Sequence, residues 1–112
     1  MKVTITSLEL KGPLKFFALS YKAMKIVRQL KTANCIKFKK QGIWTKHYTM
    51  SLWNSEQDLR TFSTIGAHLE AMKTSKEIAK EIRTYTYDAV SLPDWKTAKK
   101  LLVEHGRVIR YS

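Results

Sequence analysis

The sequence has few cysteines and prolines and lacks any long apolar run. Its single cysteine, Cys35, cannot form a disulfide within the chain, and no Cys/His spacing resembles a zinc site. No apolar stretch approaches the roughly 18 residues that cross a membrane. The N-terminal residues 1–12 alternate in character and have no continuous signal-peptide core. These absences predict one soluble domain over residues 1–112, in a reducing cytoplasm, with no membrane span.

Acidic residues are also scarce. The chain has 9 Asp and Glu against 21 Lys and Arg, a formal net charge of +12. Such a field attracts polyanions, but the densest basic runs, at 37–40 and 96–100, are short. The excess is more typical of a lysine-rich solvated surface. We therefore expect weak, non-specific polyanion binding. A non-enzymatic basic module for an acidic partner or nucleic acid remains the alternative function.

Hydrophobic periodicity predicts the order of the secondary-structure elements. We expect strands at 2–10, 35–40, 43–53 and 83–90, helices at 14–32, from 54 onward, after 75 and at 93–106, and a final strand or tail at 107–111. A turn is predicted at Gln41-Gly42. The resulting β-α-β-β-α-β order is the ferredoxin-like α+β fold, with an antiparallel sheet.

The apolar faces of these elements predict how they pack. In the first helix, apolar residues recur at helical spacing and predict the core-facing side: Phe17, Tyr21, Met24 and Val27, widened by Leu14, Phe16, Ile26 and Leu30. We expect the helices to cover one face of the sheet. The strand at 43–53 is apolar on both sides, so the other face needs a cover, and a second copy is the simplest one. The sequence therefore predicts a homodimer.

The segment from 48 to 73 carries three consecutive motifs. They are T-x-S-x-W at 49–53, S-x-x-x-L-x-x-F at 55–62 and G-A-H at 66–68. This pattern resembles the dimeric α+β-barrel superfamily, which includes antibiotic biosynthesis monooxygenases, and most resembles a bacterial branch related to spheroidene monooxygenase. The segment at 92–106 is similar to the closing helix of that superfamily. The resemblance implies a dimer whose paired sheets form a barrel, with a pocket between each sheet and its helices. Several relatives oxidise bulky apolar substrates there, some with haem and some without a cofactor.

His68 is the candidate catalytic or metal-binding residue. It lies one helical turn after Ile65 and one turn before Met72, beside the predicted core-facing side of its helix. In that position it can be an acid/base group or, if haem binds, a ligand of the iron. The alternative is a structural histidine at the helix edge. The cofactor is therefore unknown, with haem or none as the possibilities.

Five further residues are predicted to shape a ligand pocket, namely Trp53, Met50, Phe62, Tyr85 and Ser51. Trp53 shares its strand face with His47, Thr49 and Ser51, a semi-polar surface suited to lining a pocket. The alternative for Trp53 is packing against a helix. We expect His47 to be exposed and Cys35 to be inert. The leading function is a small-molecule pocket protein, monooxygenase-like, acting on a bulky apolar substrate. A protein whose dimer only buries its sheet is a third possibility.

Overall fold

The computed structural model describes residues 1–30, 35–64 and 77–111. These described ranges contain five strands: β1 (Lys2–Leu10), β2 (Cys35–Ile43), β3 (Lys46–Trp53), β4 (Ala79–Asp88) and β5 (Arg107–Arg110). The helices are a 3-10 turn (Pro13–Lys15), α1 (Phe16–Leu30), α2 (Glu56–Thr64) and α3 (Trp95–His105). The helix predicted after Ser75 is wrong from Ala79 onward, because that segment pairs with β1 as the start of β4.

The strands form one sheet in the order β2-β3-β1-β4-β5, and every neighbouring pair is antiparallel. This arrangement confirms the predicted ferredoxin-like α+β fold. The first strand is central, so its two faces define the two sides of the molecule. Its odd-numbered apolar residues, Val3 and Ile5, are fully buried, whereas Thr4 and Thr6 on the other face are only half-buried. The alternation in this strand therefore separates a packed face from a less packed one.

The packed face is covered by α3. Asp94 begins this helix by accepting a hydrogen bond from the backbone N–H of Thr97 at 2.7 Å. Ala98 and Leu102 then join the core cluster on the sheet with Val3, Ile5, Met50 and Leu52. The expectation that all helices cover one face is wrong, because α1 and α2 lie on the opposite side. The apolar face that motivated a homodimer is therefore covered within the same chain, and dimerisation stays a prediction.

The first helix is apolar on two sides. Phe17 and Tyr21, predicted to face the core, are 72% and 58% exposed, and Met24 is 46% exposed. The side that includes Leu19, Ile26 and Leu30 is half-buried instead. Helical periodicity identifies apolar stripes, but it does not show which of two stripes faces the core. The predicted core-facing side of α1 is therefore wrong at Phe17, Tyr21 and Met24, whereas Ile26, Val27 and Leu30 of the same predicted set are half-buried.

The turn between β2 and β3 lies at Trp44 and Thr45, three residues after the predicted position. Gly42 is part of the ladder, opposite His47. A Cβ atom on Gly42 would lie 2.5 Å from Nδ1 of His47, so glycine is needed for this close approach rather than for a turn. Trp44 has a positive φ of 54°, an unusual conformation for so bulky a residue.

Trp44→Gly is expected to raise the free energy of unfolding by about 0.5–1 kcal/mol. Glycine adopts positive φ without the steric cost of a Cβ, and this gain exceeds its entropic cost in the unfolded chain. Little burial is lost, since Trp44 is 77% exposed. Urea denaturation measures the change. Trp44→Ala is the matched control and should show no gain, because alanine keeps the Cβ.

Candidate functional site

The sheet face opposite α3 carries two rows of three hydroxyl groups. Each of the three inner strands, β1, β3 and β4, has a Thr-x-Thr or Thr-x-Ser segment. The antiparallel register aligns these segments side by side. We call the set the hydroxyl floor; one row is Thr86, Thr4 and Ser51, and the other is Thr84, Thr6 and Thr49.

Helices α1 and α2 lie over this face. The Phe16 ring at the start of α1 contacts the His47 ring, with centroids 5.7 Å apart. The Phe62 ring of α2 packs on Trp53 at 5.0 Å. The two helices are joined by Gln29, whose Nε2 donates to the carbonyl of Phe62 at 3.2 Å. His47 and Trp53 mark the two ends of β3, so the helices contact the sheet on both sides of the hydroxyl floor.

The hydroxyl floor is not packed as a core. Thr86 is exposed and its other five members are half-buried, whereas Ser7 on the α3 side is 4% exposed. The Thr4 and Thr86 hydroxyls lie 3.0 Å apart, and those of Thr6 and Thr84 lie 3.4 Å apart. A hydroxyl donates once and accepts twice, so each keeps capacity beyond such a pair. The floor can therefore bind polar groups of a ligand.

One end of the floor is aromatic. Trp53 is fully buried, and its indole Nε1 donates to Oγ of Ser51 at 2.8 Å. Phe62, 7% exposed, packs on Trp53 from α2. The Ser55 hydroxyl caps the start of this helix by accepting the backbone N–H of Asp58 at 3.2 Å. The structure thus brings together three of the residues predicted to shape a pocket: Trp53, Ser51 and Phe62. Ser51 belongs both to the floor and to this aromatic end.

The other two predicted pocket residues lie on the opposite face. Met50 is 1% exposed and belongs to the core cluster under α3. Tyr85 stacks on Tyr87 at 5.3 Å and contacts His105 of α3 at 5.5 Å. Burial raises the pKa of the Tyr87 hydroxyl, and the neighbouring Tyr85 adds to the shift. Because side chains alternate along a strand, Met50 and Tyr85 cannot line the same cavity as Trp53.

His47 lies at the other end of the floor. It is half-buried rather than exposed, and its Nε2 is buried without a hydrogen-bond partner among the described residues. Its ring lies between Phe16 and the backbone of Gly42. An imidazole nitrogen in this state can accept or donate a hydrogen bond to a ligand, or hold a proton. This role was missed because His47, although placed on the strand face of Trp53, was expected to be exposed.

The remaining candidates add little to this site. His68 lies outside the described residues, so its role and the haem prediction that depends on it stay predictions. Within the described ranges, no group of three or more His, Cys, Asp or Glu side chains is placed to hold a metal ion. Burial raises the pKa of the Cys35 thiol, which donates to the carbonyl of Lys37 at 3.1 Å. A raised pKa leaves little thiolate at neutral pH, which disfavours Cys35 as a nucleophile.

No protein-family model and no curated protein matches the chain. Solved structures do. A protein from Deinococcus radiodurans, described as a candidate antibiotic biosynthesis monooxygenase, has a TM-score of 0.70 at 10% identity, over 84% of this chain and 97% of that one. A protein of the same description from Nitrosomonas europaea has a TM-score of 0.71 at 16% identity, over 81% of this chain and 100% of that one. SnoaB of Streptomyces nogalater, described as a cofactor-independent oxygenase, has a TM-score of 0.61 at 12% identity, over 83% and 97%.

The chain shares the fold of these antibiotic biosynthesis monooxygenase-like structures. The resemblance predicted from the motifs at 49–68 is confirmed at this level. The finer likeness to the spheroidene monooxygenase branch stays a prediction. At 10–16% identity these neighbours show the fold alone. Substrate and reaction must therefore be argued from the residues of this chain.

Proposed function

We propose that the protein binds a bulky, mostly apolar small molecule between the hydroxyl floor and helices α1 and α2. The observation that carries this proposal is the half-exposed state of the floor beneath two helices. A helix-covered sheet face normally buries apolar side chains, and six hydroxyls there lose that stabilisation. A ligand that covers the floor and satisfies some of its hydroxyls accounts for this arrangement.

The chemistry of the lining defines the ligand. Phe16, 46% exposed, supplies aromatic surface at one end, suited to flat or ring-containing molecules, and the buried Trp53–Phe62 pair closes the other end. The hydroxyls between them suit oxygen substituents, which both donate and accept hydrogen bonds. Few polar groups on an otherwise apolar wall are the usual means of orienting a small molecule. The expected ligand is therefore a polycyclic or similarly bulky compound with one or more hydroxyl or carbonyl groups.

We further propose a monooxygenase-like reaction on this ligand. The fold supports it, because the structural neighbours include a protein described as a cofactor-independent oxygenase. Without a cofactor, the substrate must itself reduce O₂: a CH₂ group becomes C=O, one oxygen atom enters it, and the other leaves as water with the two hydrogens. Such a step begins with removal of a proton from the substrate. His47, with its unpartnered Nε2, is the described residue best placed to accept it.

The binding proposal is tested with 2-naphthol, a bicyclic aromatic with one hydroxyl. Fluorescence titration should show saturable binding that weakens by about 3–10-fold in Thr6→Val, the scale of one hydrogen bond. Thr97→Val is the matched control: Thr97 is exposed on α3, across the sheet, and the variant should bind as wild type. Equal affinities for wild type and Thr6→Val, or no binding by either, would count against the proposed site.

The cofactor question is decided by the absorption spectrum of the protein as purified. A Soret band would support haem and would make His68 the first residue to replace. Oxygen consumption with hydroxylated polycyclic compounds, in protein that shows no such band, would support the cofactor-free reaction. His47→Gln should then lower the rate more than it changes substrate affinity, because a general base contributes mainly to the chemical step.

We still propose that the protein forms a homodimer, although α3 covers the apolar sheet face that first suggested it. The sheet still ends in two strands, β2 and β5, each with one unpaired edge among the described residues. Such edges favour pairing with another chain. Light scattering at micromolar concentration should give twice the mass of the chain. A monomeric mass would contradict the dimer and leave the ligand site to one subunit.

A basic binding module is the second candidate function, and one surface favours it. Lys99 and Lys46 place their Nζ atoms 4.8 and 5.9 Å from the ring centre of Tyr48, on the α3 side of the sheet. Lys37 and Lys39 of β2 share this face by register. We propose only weak, non-specific polyanion binding there, which should weaken steeply with added salt. Tight, sequence-dependent binding of RNA or DNA near physiological salt would instead favour the module.

A further inference from the structure

The outer side of α1 exposes apolar residues to water. Leu14 in the preceding 3-10 turn is 80% exposed, Phe17 72%, Tyr21 58% and Met24 46%. We call these four residues the outer stripe. In α1 they recur at steps of four and three, so they lie along one side of the helix. An exposed apolar surface of several large side chains usually marks a place where a protein meets a partner.

Basic residues accompany the outer stripe, and acidic ones are absent. From residue 10 to residue 55 the sequence contains no Asp or Glu. The Lys25 Nζ lies 4.6 Å from the centre of the Tyr21 ring, and an Arg28 guanidinium nitrogen lies 3.9 Å from the sulfur of Met24. Lys15 lies next to Leu14. The stripe is therefore an apolar strip whose immediate neighbours are cations.

We propose that the outer stripe docks α1 on the surface of an anionic lipid bilayer. A helix with aromatic and aliphatic residues on one side and Lys or Arg beside them binds in the plane of such an interface, with apolar side chains inserted and cations at the headgroups. None of the helices in the described ranges is long and apolar enough to cross a membrane. Docking would therefore be peripheral.

Charge decides between a lipid surface and a second copy of the chain. A two-fold dimer through the outer stripe would bring the Lys25 and Arg28 side chains of both copies to one interface, and residues 10–55 contain no carboxylate to pair with them. Like charges at an interface cost free energy, whereas anionic headgroups supply the missing opposite charge. Nucleic acid would also supply it. The aliphatic Leu14 and Met24, however, suit acyl chains better than bases or phosphates.

The turn at Trp44 provides a second apolar anchor at one end of α1. Its neighbour Thr45 accepts a hydrogen bond from Leu10 N–H at 2.8 Å, just before the chain enters the 3-10 turn. Phe16, 46% exposed, contacts His47 beside the same hairpin. Trp44 is 77% exposed despite its strained backbone. Tryptophan favours the boundary between lipid and water, so we include Trp44 in the docking surface.

Docking in this orientation would bring the ligand site close to the membrane, an inference that rests on the proposed function. The same helix, α1, contacts the floor side of the sheet through Phe16 and His47, and its other side is half-buried. A bulky apolar ligand partitions into lipid, so docking would place the ligand site next to its reservoir. Membrane binding is measured without any ligand, and its failure therefore leaves the proposed ligand site untouched.

The experiment is co-sedimentation with vesicles of phosphatidylcholine containing about a quarter phosphatidylglycerol, compared with phosphatidylcholine alone. Wild type should bind the anionic vesicles and bind the neutral ones much more weakly. Phe17→Ser should lower the partition coefficient on anionic vesicles about tenfold or more, the scale of burying one Phe side chain. Tyr21→Ser should act in the same direction. Lys25→Gln should weaken binding about fivefold, because it removes one positive charge.

Val103→Ser is the matched control. Val103 is 72% exposed, as Phe17 is, but lies on α3 across the sheet, so the variant should bind as wild type. Melting temperatures should be unchanged in all variants, because each replaces an exposed or half-buried surface side chain. The proposal is overturned if wild type does not bind anionic vesicles, or if Phe17→Ser and Tyr21→Ser bind as well as Val103→Ser. A stripe-dependent self-association, or stripe-dependent binding of single-stranded RNA in place of vesicles, would also overturn it.

Discussion

Trp53→Ala is expected to lower the free energy of unfolding by about 3–5 kcal/mol. Trp53 is fully buried, packs on Phe62 and donates its indole N–H to Ser51. Alanine leaves a large cavity between α2 and the sheet and removes the donor that pairs with the Ser51 hydroxyl. Urea denaturation followed by circular dichroism gives the change, since the signal does not depend on the tryptophan itself.

Two other variants separate the causes of this loss. Trp53→Phe keeps an aromatic ring against Phe62 but loses the hydrogen bond, so it should cost clearly less than Trp53→Ala. Trp44→Ala removes the same side chain from a 77% exposed position and should cost less than about 1 kcal/mol. If Trp53→Ala and Trp44→Ala had similar effects, Trp53 would not be packed as described, and the aromatic end of the ligand site would be wrong.

Leu102→Ala is expected to lower the free energy of unfolding by about 2–5 kcal/mol. Leu102 is 2% exposed and lies in the cluster that joins α3 to Val3, Ile5, Met50 and Leu52. Its carbonyl also accepts the backbone N–H of Gly106 at 2.9 Å, which ends the helix. The loss should appear in chemical denaturation as a lower midpoint with an unchanged slope, because only stability changes.

Val103→Ala provides the control for Leu102→Ala. The two residues are adjacent on α3, but Val103 is 72% exposed. Its replacement should stay within about 0.5 kcal/mol of wild type. Equal effects at the two positions would mean that α3 does not cover the sheet in solution. The apolar face would then be free for a second copy, as the sequence first predicted.

The fold was predictable because apolar and polar residues alternate along the strands. Val3 and Ile5 share one face of β1 and are both fully buried, and the helical stretches between strands have clear apolar spacing. Which helices cover each face of the sheet was not predictable. Helix α1 has apolar residues on two sides, and only tertiary packing selects the side with Leu19 over the side with Phe17. The turn at Trp44 was not predictable either. Gly42 has the stronger turn propensity, but it lies in the strand ladder, where it allows the close approach of His47.

The residues of the proposed ligand site were predictable in part. Trp53, Ser51 and Phe62 were placed together from strand parity and the position of the next helix. Met50 and Trp53 lie on opposite faces of β3, so alternation alone could have excluded Met50 from the pocket. The hydroxyl floor was visible in the sequence as a repeated Thr-x-Thr or Thr-x-Ser segment in three strands. Its two rows depend on cross-strand register, which one sequence does not specify.

The central claim is that the ligand contacts the hydroxyl floor and not the face under α3. Methyl-resolved NMR during a 2-naphthol titration tests it residue by residue. The account predicts saturable shifts at the methyls of Thr6, Thr49 and Thr84, which line the floor, and none at Val3, Ile5 or Leu102, which are buried on the opposite side. Shifts at Val3, Ile5 and Leu102 with the three threonines unmoved would contradict it.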